Sequence, residues 1–207
     1  DGTVYAADGL SMISISQDGQ VSRPTMLAQE GYPGFIRGIA AGPAGSVYVT
    51  TTAGEVLLYK FSSREPQILV SELNELYNLA PTQDGAVVVA EGGEGRLLKV
   101  TSDGNVAVLA RDLGRPNGVA VADDGSCYVS EPDKGRVSHV SGGTSTLVEG
   151  LSSPQGLGLL GDQLLVVDSG SKELIADSLG TKQQQTIASG LPGGAQPGVT
   201  PQLLMGI

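Results

Sequence analysis

The chain has 207 residues, and its 22 Asp and Glu outnumber 12 Lys and Arg to give a formal net charge of −10. With no cluster of basic residues, this balance works against nucleic acid or an anionic membrane as partner and favours a small neutral or cationic ligand or a metal ion. The single cysteine, Cys127, excludes an intramolecular disulfide, so cysteine content does not separate oxidising from reducing compartments.

A sequence motif recurs along the chain at a period of about 40 residues, which is typical of repeat architectures. Its copies begin at Asp1, Gly34, Glu75, Arg115 and Ser153. Each copy holds short apolar runs separated by Asp-Gly or similar pairs, which favour tight hairpins. In the fourth copy the predicted strands cover residues 118–122, 126–131, 136–141 and 144–150. Four strands in each repeat predict an all-β fold, a β-propeller of four-stranded blades.

We expect one propeller domain over residues 1–207, with five blade equivalents at about 1–30, 31–72, 73–112, 113–150 and 151–190. The first copy lacks its first strand, and we expect residues 191–207 to complete that blade and close the ring. The stretch from Ser71 to Ala80 is predicted to be a loop entering the third inner strand. Because the chain starts inside a repeat, we expect the natural protein to be longer, with room for a sixth blade.

No apolar run reaches the ~20 residues that span a bilayer, and no signal peptide is recognisable. The sequence therefore leaves the compartment open between the cytoplasm and secretion.

One polar column stands just before the inner strand of each repeat and consists of Arg37, Asn78, Asn117 and Gln155. Because a propeller places equivalent positions around one axis, these side chains are predicted to ring a mouth of the central channel. Amides and a guanidinium there would bind an oxygen-rich ligand, and the amide oxygens could ligate a hard cation. The alternative is that each residue caps backbone groups of its own loop.

A second column closes the second strand and is mostly acidic: Asp8, Thr51, Glu91, Glu131 and Asp168. Such acids commonly accept hydrogen bonds from loop amides, and Glu91 and Glu131 stand five residues before Arg96 and Arg136. Cross-hairpin Glu/Arg pairs of this kind are mostly structural. If the acids instead face the channel, they would supply negative charge to a bound cation.

His139 is the only histidine, and it occupies a column that accepts Lys99 in the preceding copy. We therefore expect it to face solvent, which disfavours a catalytic base there and, with Cys127 in a strand column of small apolar residues, any nucleophilic triad.

The segment RPNGVAVADDGSCYVSEPDKGRV, residues 115–137, resembles the superfamily of gluconolactonases, strictosidine synthase-like proteins and NHL-repeat propellers. The lactonase branch is six-bladed, and the resemblance implies that Asn117 contributes to a divalent metal at the channel mouth. Where that branch has an Asp ligand in the next blade, this chain has Gln155, and the branch's N-terminal glutamate ligand has no identifiable match. Strictosidine synthase-like and NHL relatives use the scaffold without that metal set.

Two functions follow as hypotheses. The first is a lactonase-like, metal-dependent hydrolase of a small lactone or ester, in which Asn117 and Asn78 hold Ca²⁺ or Zn²⁺ and Glu131 or Asp168 accepts a proton. The second is a non-enzymatic NHL-type propeller that senses a ligand through Arg37, Asn78 and Gln155 or binds a protein partner.

Overall fold

The structure, a computed structural model, describes residues 2–7, 11–26, 34–43, 45–62 and 66–191. These residues form five antiparallel sheets, one of three strands and four of four strands, each built from consecutive strands. We number the sheets as blades 1 to 5 in chain order. Blade 1 contains β1 (Val4–Ala7), β2 (Ser11–Ile15) and β3 (Val21–Met26). Blade 2 contains β4 (Ile36–Ala41), β5 (Ser46–Thr51), β6 (Val56–Lys60) and β7 (Pro66–Val70).

The remaining blades repeat the four-strand order. Blade 3 contains β8 (Leu76–Pro81), β9 (Val87–Glu91), β10 (Arg96–Val100) and β11 (Val106–Ala110). Blade 4 contains β12 (Val119–Val121), β13 (Cys127–Glu131), β14 (Arg136–Val140) and β15 (Thr144–Glu149). Blade 5 contains β16 (Pro154–Leu160), β17 (Gln163–Asp168), β18 (Glu173–Ser178) and β19 (Gln184–Ser189).

The first strand of each four-stranded blade is the inner strand. Strand β4 packs on β8, β8 on β12, and β12 on β16. Four apolar clusters fill the spaces between consecutive blades, so blades 2, 3 and 4 each bury both faces against their neighbours. This arrangement confirms the predicted all-β propeller of four-stranded blades.

Two smaller predictions are also confirmed. The predicted loop is confirmed for residues 71–75, which form no helix, whereas Leu76 to Ala80 already belong to the inner strand β8. Cys127 is 2% exposed and packs in the core between blades 3 and 4. In contrast, the expected completion of blade 1 by residues 191–207 falls almost wholly outside the described residues and stays a prediction. The described part of the chain contains no helix that is both long and apolar enough to span a bilayer.

Asp-Gly turns set the hairpins between first and second strands. Gly85 has φ 79° and Gly125 has φ 83°, a left-handed conformation that glycine adopts without a steric penalty. The carboxylate of Asp124 accepts hydrogen bonds from the backbone N–H and the hydroxyl of Ser126, which fixes the turn that leads into β13. The local sequence therefore determines where each strand reverses.

Hydrogen bonds from blades 2, 3 and 4 hold the inner strand of the next blade, and two of them come from hydroxyl groups on second strands, β5 and β13. The Thr50 hydroxyl of blade 2 donates to the carbonyl of Tyr77 in blade 3 at 2.6 Å, and the Ser130 hydroxyl of blade 4 donates to the carbonyl of Gln155 in blade 5 at 2.7 Å. Between blades 3 and 4, the backbone N–H of Asn78 donates to the carbonyl of Asn117 at 3.1 Å. These bonds fix the order and height of the inner strands around the axis.

Asp177 of β18 is a carboxylate at a position that the repeat elsewhere fills with an apolar side chain. It is 5% exposed and its Oδ1 has no hydrogen-bond partner. The equivalent residues of blades 3 and 4 are Val100 and Val140, which lie in the cores between blades. Burial raises the pKa of Asp177, and the charge of Lys182 opposes that rise. Ionised Asp177 therefore destabilises the folded chain.

We expect Asp177→Val to raise the free energy of unfolding by about 1–3 kcal/mol at pH 7, because it removes a buried acceptor without a partner. Because the pKa of Asp177 in the folded chain lies above its ordinary value of 3.8, the folded chain loses stability as the pH rises and Asp177 ionises. The stability gained by the substitution should therefore be smaller at pH 3 than at pH 7. Denaturant unfolding at both pH values measures the effect, with exposed Asp162→Asn as the control. Unchanged or lower stability at pH 7 would contradict it.

Candidate functional site

The inner strands begin at one end of the propeller, which we call the entry face. The connections that run from the outer strand of one blade to the inner strand of the next lie there, together with the turns between second and third strands. Backbone hydrogen bonds join these two sets of loops, from Gly92 N to Glu75 O at 2.9 Å and from Leu113 N to Gly95 O at 3.0 Å. The same contact recurs in blade 4, where Leu151 N donates to Gly135 O at 2.9 Å. The entry face is thus a fixed layer of loops.

The predicted polar column lies at the starts of four successive inner strands on this face. Arg37 is on β4, Asn78 on β8 and Gln155 on β16, while Asn117 immediately precedes Gly118 and β12. Asn78 is buried, and the other three side chains are half-buried. Ile36, Leu76 and Pro154 pair with the second-column residues Thr51, Glu91 and Asp168, so Arg37, Tyr77 and Gln155 hold equivalent positions, and the pairing of Val119 with Val129 adds Asn117 to them. Asn78 lies one residue after that position. The roles of the four predicted side chains in binding a ligand stay predictions.

Among the described residues, two side chains of the column carry buried polar atoms without a hydrogen-bond partner. These atoms are Nε of Arg37, a donor, and Oδ1 of Asn117, an acceptor. Oδ1 of Asn78, by contrast, accepts a hydrogen bond from the backbone N–H of Leu79 at 2.8 Å. Buried polar groups are normally paired, so each unpaired atom needs an explanation. A bound molecule with one acceptor and one donor group would supply both partners.

Two guanidinium groups contact the aromatic ring of Tyr77 on the entry face. The Arg37 guanidinium carbon is 5.2 Å from the ring centroid, and that of Arg115 is 5.9 Å from it. Arg115 also donates from Nη2 to the Tyr77 hydroxyl at 3.0 Å and pairs with Glu75 at 3.2 Å. Arg37 forms no ion pair in the ranges that the structure describes. Of the two cations that contact the ring, Arg115 is therefore neutralised, whereas Arg37 has no carboxylate partner among the described residues.

The acidic column forms buried clamps that hold the entry loops. Glu91 is 1% exposed, accepts a hydrogen bond from Asn74 N at 3.0 Å and pairs with Arg96 at 2.6 Å. Asp168 is likewise buried and accepts hydrogen bonds from the backbone N–H groups of Ser152 and Ser153, both at 2.7 Å. In each case the carboxylate at the end of a second strand binds the loop that enters the inner strand of its own blade.

Glu131 is the most fully occupied member of this column. It is completely buried, and its two oxygens accept hydrogen bonds from Gly114 N at 2.6 Å, Arg136 Nε at 2.8 Å and the hydroxyl of Ser138. Lys134 adds an ion pair at 3.1 Å. Burial raises the pKa of Glu131, but these donors outweigh it and hold the pKa below 4.5.

A carboxylate with so many donors is a weak proton acceptor, because proton transfer would have to displace hydrogen bonds to its charged form. The predicted pairing of Glu91 with Arg96 and of Glu131 with Arg136 is confirmed. The predicted proton-acceptor role of Glu131 and Asp168 stays a prediction, and the contacts of both residues describe structural clamps. Asp8 of the same column lies outside the described residues.

A pocket of about 560 Å³ opens on the entry face between blades 3 and 4. Its walls carry the carboxylates of Glu75, Glu94, Asp112 and Asp133 and the guanidinium of Arg115. Arg115, which the sequence pattern did not single out, connects this pocket to Tyr77. The pocket is polar and predominantly acidic, whereas the neighbouring position of Arg37 is cationic.

His139 lies away from the entry face, on the third strand of blade 4. Its ring stacks on Tyr128 with centroids 5.1 Å apart, and it is half-buried, so the expectation of a solvent-facing side chain is only partly met. The expectation that it joins no catalytic triad stays a prediction.

The side chains predicted to hold a divalent metal do not form a suitable donor set. No group of three or more His, Cys, Asp or Glu side chains in the described ranges is arranged to hold a metal ion. Of the two predicted amide ligands, Asn117 has a free buried oxygen, whereas the oxygen of Asn78 already accepts a backbone N–H. Ca²⁺ needs six or more oxygen ligands, and Arg37 adds a like charge to the same ring of positions. The Ca²⁺ or Zn²⁺ site stays a prediction that these contacts do not support.

Sequence analysis missed Tyr77, Arg115 and Glu75. Tyr77 holds the position in blade 3 that Arg37 holds in blade 2, whereas the predicted column took the next residue, Asn78. The two charged residues lie in loops of different length. A signal was nevertheless present in Gly92, because a Cβ at that residue would lie 2.4 Å from Cε2 of Tyr77. Gly92 follows Glu91 at the end of β9, and the side chain that it lacks leaves the space that the ring of Tyr77 fills.

No protein-family model matches the sequence, and no curated protein matches it. Among solved structures, the chain is similar to a streptogramin B lyase, with 13% identity and a TM-score of 0.74 over 89% of this chain and 64% of that chain. A catalytically inactive histidine-to-alanine variant of virginiamycin B lyase from Staphylococcus aureus, with quinupristin, gives 14% identity and a TM-score of 0.72 over 90% of this chain and 66% of that chain. A chain of a nidogen/laminin complex gives 14% identity and a TM-score of 0.64 over 92% of this chain and 93% of that chain.

The chain spans 64% and 66% of the length of these two lyase structures. At such low identity the likeness shows the fold alone, a β-propeller that enzymes and interaction proteins share.

Proposed function

We propose that this protein is a ligand-binding propeller whose entry face holds a small organic anion that also carries a hydroxyl group. The observation that carries the proposal is the pair of unpartnered buried atoms at the starts of the inner strands, Arg37 Nε and Asn117 Oδ1. A carboxylate oxygen would accept from Arg37, and a hydroxyl would donate to Asn117. Both atoms would then be paired as buried polar atoms normally are.

The charge around Arg37 supports an anion over a cation. The other arginine that contacts the Tyr77 ring, Arg115, is already paired with Glu75, whereas Arg37 has no ion pair within the described ranges. A carboxylate about 4 Å from a guanidinium gains about 4 kcal/mol of Coulomb energy at an effective dielectric constant of 20, before desolvation is counted. The net charge of −10 opposes anion binding from a distance, so recognition would depend on this local cation.

The similar structures are consistent with a small-molecule site and do not choose the chemistry. Two of them are lyases, one with quinupristin, and a third belongs to a nidogen/laminin complex. The catalytically inactive lyase variant with quinupristin has alanine in place of a histidine. In this chain the only histidine, His139, stacks on Tyr128 away from the inner strands. Transfer of that lyase chemistry is therefore not proposed.

Calorimetric titration with D-gluconate tests the proposal, because gluconate offers one carboxylate and several hydroxyl groups. We expect Arg37→Gln to weaken binding about 10-fold to 150-fold, which corresponds to the loss of a charged hydrogen bond of about 1.5–3 kcal/mol. Arg23→Gln, at an exposed residue of β3, changes the net charge equally and should leave affinity unchanged. Equal affinities of the wild-type chain and Arg37→Gln would overturn the proposal.

A metal-dependent lactonase is the second candidate, and the free buried oxygen of Asn117 in Pro116-Asn117-Gly118 is the observation that favours it. Hydrolysis of D-glucono-δ-lactone in the presence of Ca²⁺ or Zn²⁺, with and without a chelator, tests it. Chelator-sensitive turnover that Asn117→Ala abolishes would support the lactonase. Lactone hydrolysis at the background rate under every metal condition would eliminate it.

A further inference from the structure

We propose that Tyr77 is a positioning residue, which together with Arg115 and Glu75 holds the guanidinium of Arg37 in place for the anionic ligand. This inference rests on the proposed function and names the residues that set its affinity. The supporting observation is the arrangement Arg37, Tyr77, Arg115, Glu75, in which each side chain contacts the next.

The ring of Tyr77 is itself held in one place. It is 6% exposed, and Gly92 leaves the space for it, since a Cβ there would lie 2.4 Å from Cε2 of the ring. The phenol oxygen accepts a hydrogen bond from Arg115 Nη2 at 3.0 Å, and Glu75 holds Arg115 from the other side at 3.2 Å. An arginine packed over such a ring loses much of the rotamer freedom that a free side chain has.

The two arginines differ in how many of their groups already have partners, which makes Arg115 the supporting residue and Arg37 the residue that binds the ligand. Arg115 has a carboxylate, a phenol oxygen and the ring as partners. Arg37 has the ring, while its buried Nε has no hydrogen-bond partner. A side chain that is fixed but still has an unpaired donor is preorganised, and preorganisation increases affinity because less freedom is lost on binding.

Three variants and two readouts separate positioning from simple stabilisation. The affinity for D-gluconate is measured by calorimetry against that for the neutral D-gluconamide, and the Nε–Hε signal of Arg37 is followed by NMR in the ligand-free chain. Tyr77→Leu removes the ring. Tyr77→Phe keeps the ring and is the conservative rescue. Arg115→Met, at a half-exposed side chain, removes the support if Tyr77→Leu fails to fold.

We expect Tyr77→Leu to weaken gluconate binding about tenfold, to leave gluconamide binding nearly unchanged, and to move the Arg37 signal to the position of a free arginine. Tyr77→Phe should retain most of the affinity and the shifted signal, and Arg115→Met should lose about threefold in affinity. Either an unchanged gluconate affinity or an unchanged Arg37 signal in the variant without the ring overturns the inference. Absence of gluconate binding by the wild-type chain would instead overturn the proposed function, and the inference with it.

Discussion

Glu131→Gln lowers the free energy of unfolding by about 3–5 kcal/mol, because it removes one partner of a buried ion pair and leaves the other charges uncompensated. Glu131 is completely buried and accepts from Gly114 N, Arg136 and Ser138, with Lys134 close by. In a chain of this size each kcal/mol shifts the melting temperature by about 2–4 °C, so we expect a fall of roughly 6–20 °C. Thermal and denaturant unfolding measure it.

The matched control is Glu149→Gln, an exposed glutamate on the neighbouring strand β15, which should change stability by less than about 0.5 kcal/mol. The pH dependence gives a second test. A carboxyl whose folded pKa lies below its ordinary 4.5 contributes stability above that pH and loses it as the pH falls through the folded pKa. The difference between wild-type and Glu131→Gln should therefore shrink on acidification below about pH 4. A variant of unchanged stability that had lost a catalytic activity would contradict the structural role.

The second large effect is at Gly118, where the inner strand of blade 4 approaches blade 5. A Cβ at this residue would lie 1.8 Å from the carbonyl oxygen of Gln155 and 3.0 Å from its carbonyl carbon. Those atoms belong to the backbone of β16, and the Ser130 hydroxyl already binds the same oxygen. Gly118→Ala therefore separates two inner strands, and we expect a loss of more than about 3 kcal/mol or failure to fold.

Gly143→Ala is the control for this substitution, because no atom lies within 4 Å of a Cβ built at Gly143 and its backbone is not left-handed. It should be neutral to within about 0.5 kcal/mol. Circular dichroism and urea unfolding compare the two variants. If Gly118→Ala were as stable as Gly143→Ala, blades 4 and 5 could not be packed as the structure describes.

The repeat pattern predicts most of the fold because strand and turn signals are local. Apolar runs and Asp-Gly pairs place the four strands of blade 4 within one or two residues of β12 to β15, and the glycines of these turns have the left-handed backbone that the pattern requires. Three members of the polar column, Arg37, Asn117 and Gln155, hold equivalent positions of the repeat, whereas Asn78 lies one residue after the equivalent position of blade 3, which is Tyr77.

Side-chain direction at the strand ends could not be predicted in the same way. Glu131 and Asp168 could bind the entry loop or face the channel, and the choice depends on where the backbone N–H groups of Gly114, Ser152 and Ser153 lie. Those loops differ in length between repeats, so no alignment places their donors. Tyr77 was missed for a related reason, because its partners come from other blades and loops.

A crystal structure of the chain with D-gluconate tests the central claim most directly. The proposal predicts density for the ligand on the entry face, with a carboxylate oxygen within hydrogen-bond distance of Arg37 Nε and a hydroxyl within that distance of Asn117 Oδ1. Density for a metal ion ligated by Asn117 and Asn78, or a ligand bound elsewhere while Arg37 Nε stays unpaired, would contradict it.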